Sequence, residues 1–366
     1  MALSKIDLAN MVENQMPQSL IADNINFRNI LINGDMSQSQ RSTSVSSLTS
    51  SSTYQTIDRY ATELGSNGTW TQSQSTDVPT GQGFAKSLKM DCTATGSGGY
   101  LHITQRFEGQ NLQYLKKGTS NAESFTLSFW VKSAKTGTYI AEFRDIDNTR
   151  NISKSYTISS ANTWEKKTIT YDGDTSGAFG NDNGASLELN LWLAAGSSNT
   201  SGTLQTSWAS QVSANRAVGQ VNLADSTSNE WYITGVQLEA GTTASDFEFL
   251  PVDVNLQRCL RYYEESDAPD FAYYKTNELT SIANQEIYSP VYYKVEKRAT
   301  PTLTITGYSG GNNQCSRVDT GADLGTNTCN SYLNGKKFFT RRNTNGSSKT
   351  IVQGVVIAKY FSDAEL

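Results

Sequence analysis

The sequence is poor in the residues that build catalytic and metal centres. Among 366 residues there is one histidine, His102, and there are four cysteines, Cys92, Cys259, Cys315 and Cys329, none in a CxxC spacing. That ligand count excludes a zinc site. A Ser-His-Asp arrangement would have to use His102, which alternates with Leu101 and Ile103 and reads as a strand residue, not a base. Charge is also sparse: Asp, Glu, Lys and Arg make up 18% of the chain, and the net charge is −5. With no basic excess to neutralise phosphates, nucleic acid is excluded as a partner. No apolar run approaches the roughly 20 residues a membrane helix needs. The first residues, MALSKIDLANMVENQMPQ, lack the basic flank and apolar stretch of a signal peptide, so neither membrane insertion nor secretion is expected.

What is present is Ser, Thr, Asn, Gln and Gly, with a mean hydropathy of −0.49. That mix suits short strands and turns, and disfavours long helices. An aromatic content of 10%, with six tryptophans, supplies the apolar surface that disordered chains lack. From residue 84 the pattern predicts strands at sandwich spacing: 85–93, 100–107, 124–132, 137–144, 153–158, 165–171, 186–194 and 230–238. The alternation of Phe125, Leu127, Phe129 and Val131 against Thr126, Ser128, Trp130 and Lys132 is the cleanest. Ser42–Ser52 reads as a low-complexity surface loop, with a strand after it over 53–61. The expected fold is all-β, an antiparallel jelly-roll over residues 28–251. Leu256, Cys259, Leu260 and Tyr263 then fall on one helical stripe, predicting a connector over 252–264. Residues 265–366 restart as a smaller β-domain, with a hairpin signal at Asn334-Gly335. Within residues 1–27 a short helix presents Leu3, Ile6, Leu8 and Met11, too few to bury alone, so the segment reads either as one that docks on a neighbour or as a frayed terminus.

Candidate chemistry is thin. Asp145, Asp147, Asp172, Asp174 and Asp182 sit in turn-rich stretches, where aspartate caps its own backbone, so no catalytic pair is expected. Asp172-Gly-Asp-Thr-Ser-Gly177 partly matches a calcium loop, but Asn183 stands where an EF-hand needs a bidentate Glu. A looser calcium site near Asp172 and Asp174 ranks behind a plain polar turn, and no metal is assigned. Gly96, Gly98 and Gly99 precede a strand instead of a helix, so they cradle no phosphate. Trp70 and Trp208 lie among small polar residues and are the candidate platforms for stacking on sugars, with burial as the competing reading. Trp130, Trp164, Trp192 and Trp231 fall within or beside strands and are assigned to core or intersubunit surfaces. Cys315 and Cys329 flank a polar loop, and both a disulfide and two free thiols stay open.

Two stretches carry a resemblance. Arg28-Asn-Ile-Leu-Ile-Asn-Gly-Asp-Met36 and the segment from Trp231 through Gly-Val-Gln-Leu-Glu to Arg261-Tyr-Tyr-Glu264 together resemble virion structural proteins of tailed bacteriophages. In that family, such motifs bracket a jelly-roll that is similar to carbohydrate-binding modules. Thr126–Ser133, Asn162–Glu165, Gly173–Gly177, Leu193–Ser197, Lys297–Thr302 and Asp363–Leu366 extend the likeness across residues 28–366. The resemblance implies a non-enzymatic virion component, a tail fibre or appendage, assembled in the host cytoplasm. It implies a homotrimer attached to other virion proteins by its N-terminus and presenting β-domains to host-surface glycans. A capsid decoration protein is the alternative, and a polysaccharide depolymerase ranks below both.

Overall fold

The computed structural model describes residues 27–266 continuously and, beyond them, 279–282, 286–307, 312, 316–317, 330–343, 349–351, 355–356 and 359–366. Leu3, Ile6, Leu8 and Met11, and also Cys315 and Cys329, lie outside the described residues. The chain divides into two compact units, Met1–Leu250 and Pro251–Leu366.

Among the described residues of the first unit there are eleven strands: β1 (Ser44–Tyr54), β2 (Ala61–Ser75), β3 (Ser87–Ala94), β4 (Tyr100–Glu108), β5 (Phe125–Ser133), β6 (Gly137–Asp145), β7 (Arg150–Ile158), β8 (Glu165–Tyr171), β9 (Ala185–Ala195), β10 (Ala209–Ser210) and β11 (Glu230–Ala240). All pair antiparallel, in the order β10-β7-β6-β9-β4-β2-β3-β11-β5-β8, with β1 on β2. Strand β2 belongs to both layers of the sandwich. Its first half, Ala61–Gly65, pairs with β4, and its second half, Thr69–Ser75, pairs with β3. The bend between them passes through Ser66 and Gly68, both with left-handed backbone at φ 49° and 80°. A Cβ on Gly68 would also lie 2.6 Å from the Ala94 carbonyl, so the corner needs glycine twice over. One continuous core fills the space between the layers. Phe125, Leu127, Phe129 and Val131 point into it as the alternation predicts, meeting Leu187, Leu189, Leu191 and Leu193 among others.

Three expectations fail here, the first being the strand over 53–61: β1 ends at Tyr54, and residues 55–60 turn the chain into β2. Ser44–Tyr54 is a strand, not a loop: its side chains are mostly exposed, and backbone pairing with β2 holds it, with Leu48 as its one buried apolar residue. Trp70 sits within β2, opposite Leu48 and Cys92, not in a loop.

The two motif stretches meet. Residues 28–41 form no ladder and are pinned by isolated backbone bonds, Ile30 N–H to the Leu238 carbonyl and Val236 N–H to the Gly34 carbonyl, both at 2.9 Å, and by side chains. The Asn29 amide donates to the Val236 carbonyl at 3.1 Å, while its Oδ1 accepts from the N–H groups of Leu31 and Leu238, both at 3.0 Å. Glu248 accepts the Asn29 N–H at 3.0 Å and also that of Phe27. Gly34 packs so closely on β11 that a Cβ would fall 2.1 Å from the Val236 carbonyl. The start and the end of the sandwich are thus clasped together.

In the second unit, helix α1 (Val252–Leu260) starts after Pro251 and buries Asn255, Cys259 and Leu260. Tyr263, placed on the helical stripe by the sequence pattern, opens the strand Tyr263–Glu265 instead. That strand pairs with Lys359–Asp363, which also pairs with Thr302–Thr306. Asn334-Gly335-Lys336 joins the antiparallel strands Asn330–Leu333 and Lys337–Asn343. Glu264 is fully buried, paired with Lys297 and accepting from the Tyr360 hydroxyl at 2.6 Å.

Candidate functional site

Successive strand residues face opposite sides, so the strands that send leucines into the core send a second set outward. On β9 the outward set is Glu188, Asn190 and Trp192; on β4 it is His102, Thr104 and Arg106; on β6 it is Ile140, Glu142 and Arg144. The register sets them side by side: Arg106 beside Glu188, Thr104 beside Asn190, His102 beside Trp192, with Arg144 and Glu142 flanking Glu188 and Asn190.

The result is a layer of paired charges on the outside of one sheet. Glu188 receives Arg106 Nε at 2.8 Å on one oxygen, and Arg144 Nη1 at 2.7 Å and Asn190 Nδ2 at 2.9 Å on the other. Arg106 also reaches Glu63 on β2 at 2.7 Å, and Arg144 Nε donates to Gln211 at 3.0 Å. Glu142 takes Arg216 through both oxygens, at 2.8 and 2.9 Å, and accepts from Trp192 Nε1 at 3.0 Å. Three carboxylates face three guanidiniums, so the layer is neutral overall and each group is held by bidentate or shared contacts. Burial alone would raise the Glu188 carboxyl. Arg144 and Arg106, helped by Asn190, overcome this and hold it at about 2 instead of 4.5.

An aromatic row runs through the layer. The Tyr100, His102 and Trp192 rings follow one another at 5.7 and 4.6 Å, and the Arg216 guanidinium lies over the Trp192 ring, 5.0 Å from its centroid. The Thr104 hydroxyl donates to Asn190 Oδ1 at 2.6 Å, so it accepts at 2.9 Å from a proton on His102 Nδ1. Burial, then the charge of Arg216, hold this ring down at about 3, and it stays neutral. The segment 196–222 lies over the Trp192 end, where Ala217 and Leu204 pack with Ile140. Tyr100, beside His102 and across from Ala195, is 38% exposed at that same end, while Arg106 and Arg144, at the opposite end of the layer around Glu188, have side chains 20% and 29% exposed. The open end around Glu188 therefore offers fixed donors and acceptors, and the exposed ring of Tyr100 stands at the opposite end of the same strand.

The tryptophans proposed from sequence are elsewhere. Trp70 is a correction: it is 0% exposed, belongs to the core, and spends its indole N–H on the Asn67 carbonyl at 2.7 Å. Small polar neighbours surround it in sequence because β2 turns those residues away from the core. Trp208 is half-buried against the core, and its indole donates to the Asp172 carbonyl at 2.8 Å. Trp192 and Trp231 are fully buried; Trp130 and Trp164 are half-buried on the outside of the other layer, where Trp164 donates to Asp77 at 2.9 Å. The turn aspartates do cap backbone: Asp145 accepts from Asn148 N–H, Asp147 from Gly180 and Asp182 from Gly184. Asp174 is taken by Arg150 and Lys117. Sequence reasoning missed Glu63, Arg106, Glu142, Arg144, Glu188 and Arg216. The one local signal was Leu187-Glu-Leu-Asn-Leu-Trp-Leu193, a strict alternation of leucine with polar groups and Trp.

No family model and no curated protein sequence matches this chain. Among solved structures, it is similar to the enzymatically active domain of bacteriophage CBA120 tailspike protein 4, at 17% identity and a TM-score of 0.33. That match covers 58% of this chain and 21% of the tailspike chain. It is also similar to the N-terminal cellulose-binding domain of Cellulomonas fimi beta-1,4-glucanase C, at 10% identity and TM-score 0.28, covering 57% of this chain and 100% of that one. The xylan-binding domain from carbohydrate-binding module family 22 matches at 11% identity and TM-score 0.28, over 51% of this chain and 89% of that one. Similarity at this level says nothing of ligands.

Proposed function

We propose that this chain is a non-enzymatic component of a phage particle, a tail fibre or appendage. In this reading its sandwich contacts glycans through the open half of the Glu188 layer. The observation that carries the glycan reading is the neutral, cross-bridged layer itself, on a strand whose other end carries the exposed ring of Tyr100. Sugar hydroxyls need donors and acceptors in fixed positions, which a neutral layer supplies without drawing in counter-ions, and an extended glycan lying along β4 would also reach the Tyr100 ring to stack on. Glu188 does not suit the role of a glycosidase acid, since it stays ionised at about 2 where that role needs a raised value. The virion setting rests on the motifs at 28–36 and 231–264, and with it the trimer and the docking role of Leu3, Ile6, Leu8 and Met11.

Tyr100→Ala and Arg144→Ala are expected to weaken binding to host-surface glycans about 5- to 150-fold, the usual range for a lost anchor. Trp164→Ala, on the opposite layer, should leave binding intact. Glycan binding by the folded full-length chain, measured by titration calorimetry, decides this. Loss with Trp164→Ala alone, or no loss with Tyr100→Ala and Arg144→Ala, refutes the placement.

A further inference from the structure

Lys117 is held the way a metal ion is held. It lies at one end of the sandwich, just beyond the turn Gln113–Leu115, and its side chain is 4% exposed. Its ammonium meets Asp145 Oδ2 at 2.5 Å and Asp174 Oδ2 at 3.1 Å. It donates to the carbonyls of Ser176 at 2.9 Å and Gly177 at 2.6 Å. The Phe179 and Trp208 rings lie over it, their centroids 5.1 and 5.7 Å from the nitrogen. The cage is thus built from oxygen alone, two carboxylates and two carbonyls, contributed by the end of β6 and the loop after β8. Oxygen sets of this kind suit a hard divalent cation.

The rest of the cage is already fixed without Lys117. Asp145 caps the Asn148 N–H at 3.0 Å and takes its amide at 2.9 Å. Asp174 takes Arg150 through both oxygens, at 2.7 and 3.0 Å, and the Ser176 N–H at 3.1 Å. Arg150 and Lys117 balance the two carboxylates. Without the ammonium the cage would carry one uncompensated buried negative charge among preset oxygens.

We propose that the Lys117 ammonium serves as the built-in structural cation of this end of the sandwich, doing what a bound divalent metal would do. Removing it turns the cage into a calcium site. Shortening the side chain at 117 vacates the volume of three methylenes and the ammonium. Calcium and a few waters then complete the six to eight oxygens the ion takes. The wild-type chain, by contrast, has no use for the metal.

The test compares the full-length wild type with Lys117→Ala and Lys117→Ser, each with calcium chloride or with EDTA. Wild-type melting should not move between the two conditions. Either variant should melt lower than wild type in EDTA, and recover about 5–10 °C when calcium stands about a hundredfold above its dissociation constant. Terbium reads the site directly, since Trp208 is close enough to sensitise its luminescence: the signal is expected in the variants, absent in wild type, and lost when Asp145→Asn is added. EDTA-sensitive melting or sensitised terbium in the wild type would overturn the proposal. So would variants that gain neither luminescence nor thermal stability from the metals.

Discussion

Replacing Glu188 with Gln probes how strongly the charged layer is coupled to folding. Glu188 is 2% exposed, and Arg106, Arg144 and Asn190 all lie within 2.9 Å of its oxygens. In the folded chain its carboxyl titrates at about 2, against an ordinary 4.5. A group harder to protonate when folded adds stability above its unfolded value, and that stability is lost as pH falls from about 4.5 towards 2. The gap between 4.5 and about 2 corresponds to about 3 kcal/mol, at roughly 1.4 kcal/mol per pH unit. Gln keeps the shape and gives up the charge, so Glu188→Gln should unfold about 3 kcal/mol more easily at pH 7, with the difference closing as pH approaches 2. Urea unfolding followed by tryptophan fluorescence measures this cleanly, because Trp70, Trp130, Trp164, Trp192, Trp208 and Trp231 are all six in the first unit. A difference below about 0.5 kcal/mol at pH 7, or one that stays constant down to pH 2.5, would refute the coupling, since unperturbed surface carboxylates behave that way.

Two further outcomes follow from burial. Trp70→Ala should cost about 3–5 kcal/mol in the same urea experiment, the usual range for an emptied aromatic core site, and Trp208→Ala clearly less; equal, small effects would contradict the core assignment of Trp70. His102 is the one histidine, so its ring gives a single imidazole resonance by NMR. Burial and Arg216 hold it at about 3, so folded stability falls as pH drops from 6.5 towards 3, and the resonance should not titrate above pH 5; an inflection between pH 6 and 7 would contradict the neutral ring.

What could be read in the sequence was whatever repeats at strand spacing. Phe125, Leu127, Phe129 and Val131 announce β5 because both faces of the strand carry a clear preference. β1 announces nothing, since Ser, Thr and a lone buried Leu48 give no alternation, and the strand exists through its backbone partners on β2. Trp70 misled for a related reason: Thr69 and Thr71 look like loop residues, yet on a strand they are its outward neighbours. The charged layer was hidden by distance. Glu63, Arg106, Glu142, Arg144, Glu188 and Arg216 are far apart in the chain, and only the pairing of β2, β4, β9 and β6 gathers most of them on one face. Lys117 is the extreme case. Next to Lys116 it looks like half of a solvated pair, and only the fold encloses it among oxygens.

The clasp at the base of the sandwich has a mechanical meaning. Phe27 and Asn29 lean on Glu248, and Asn29 bridges to Val236 and Leu238, so the chain arrives and departs at one corner. Tension between the flanking segments would run through that corner and load the few clasp bonds first. The strands carrying Glu188, Arg106 and Arg144 hang outside the line of force, as a flag hangs from its rope. A domain pulled at this corner would give way at the clasp first, while the face carrying Tyr100 keeps its shape.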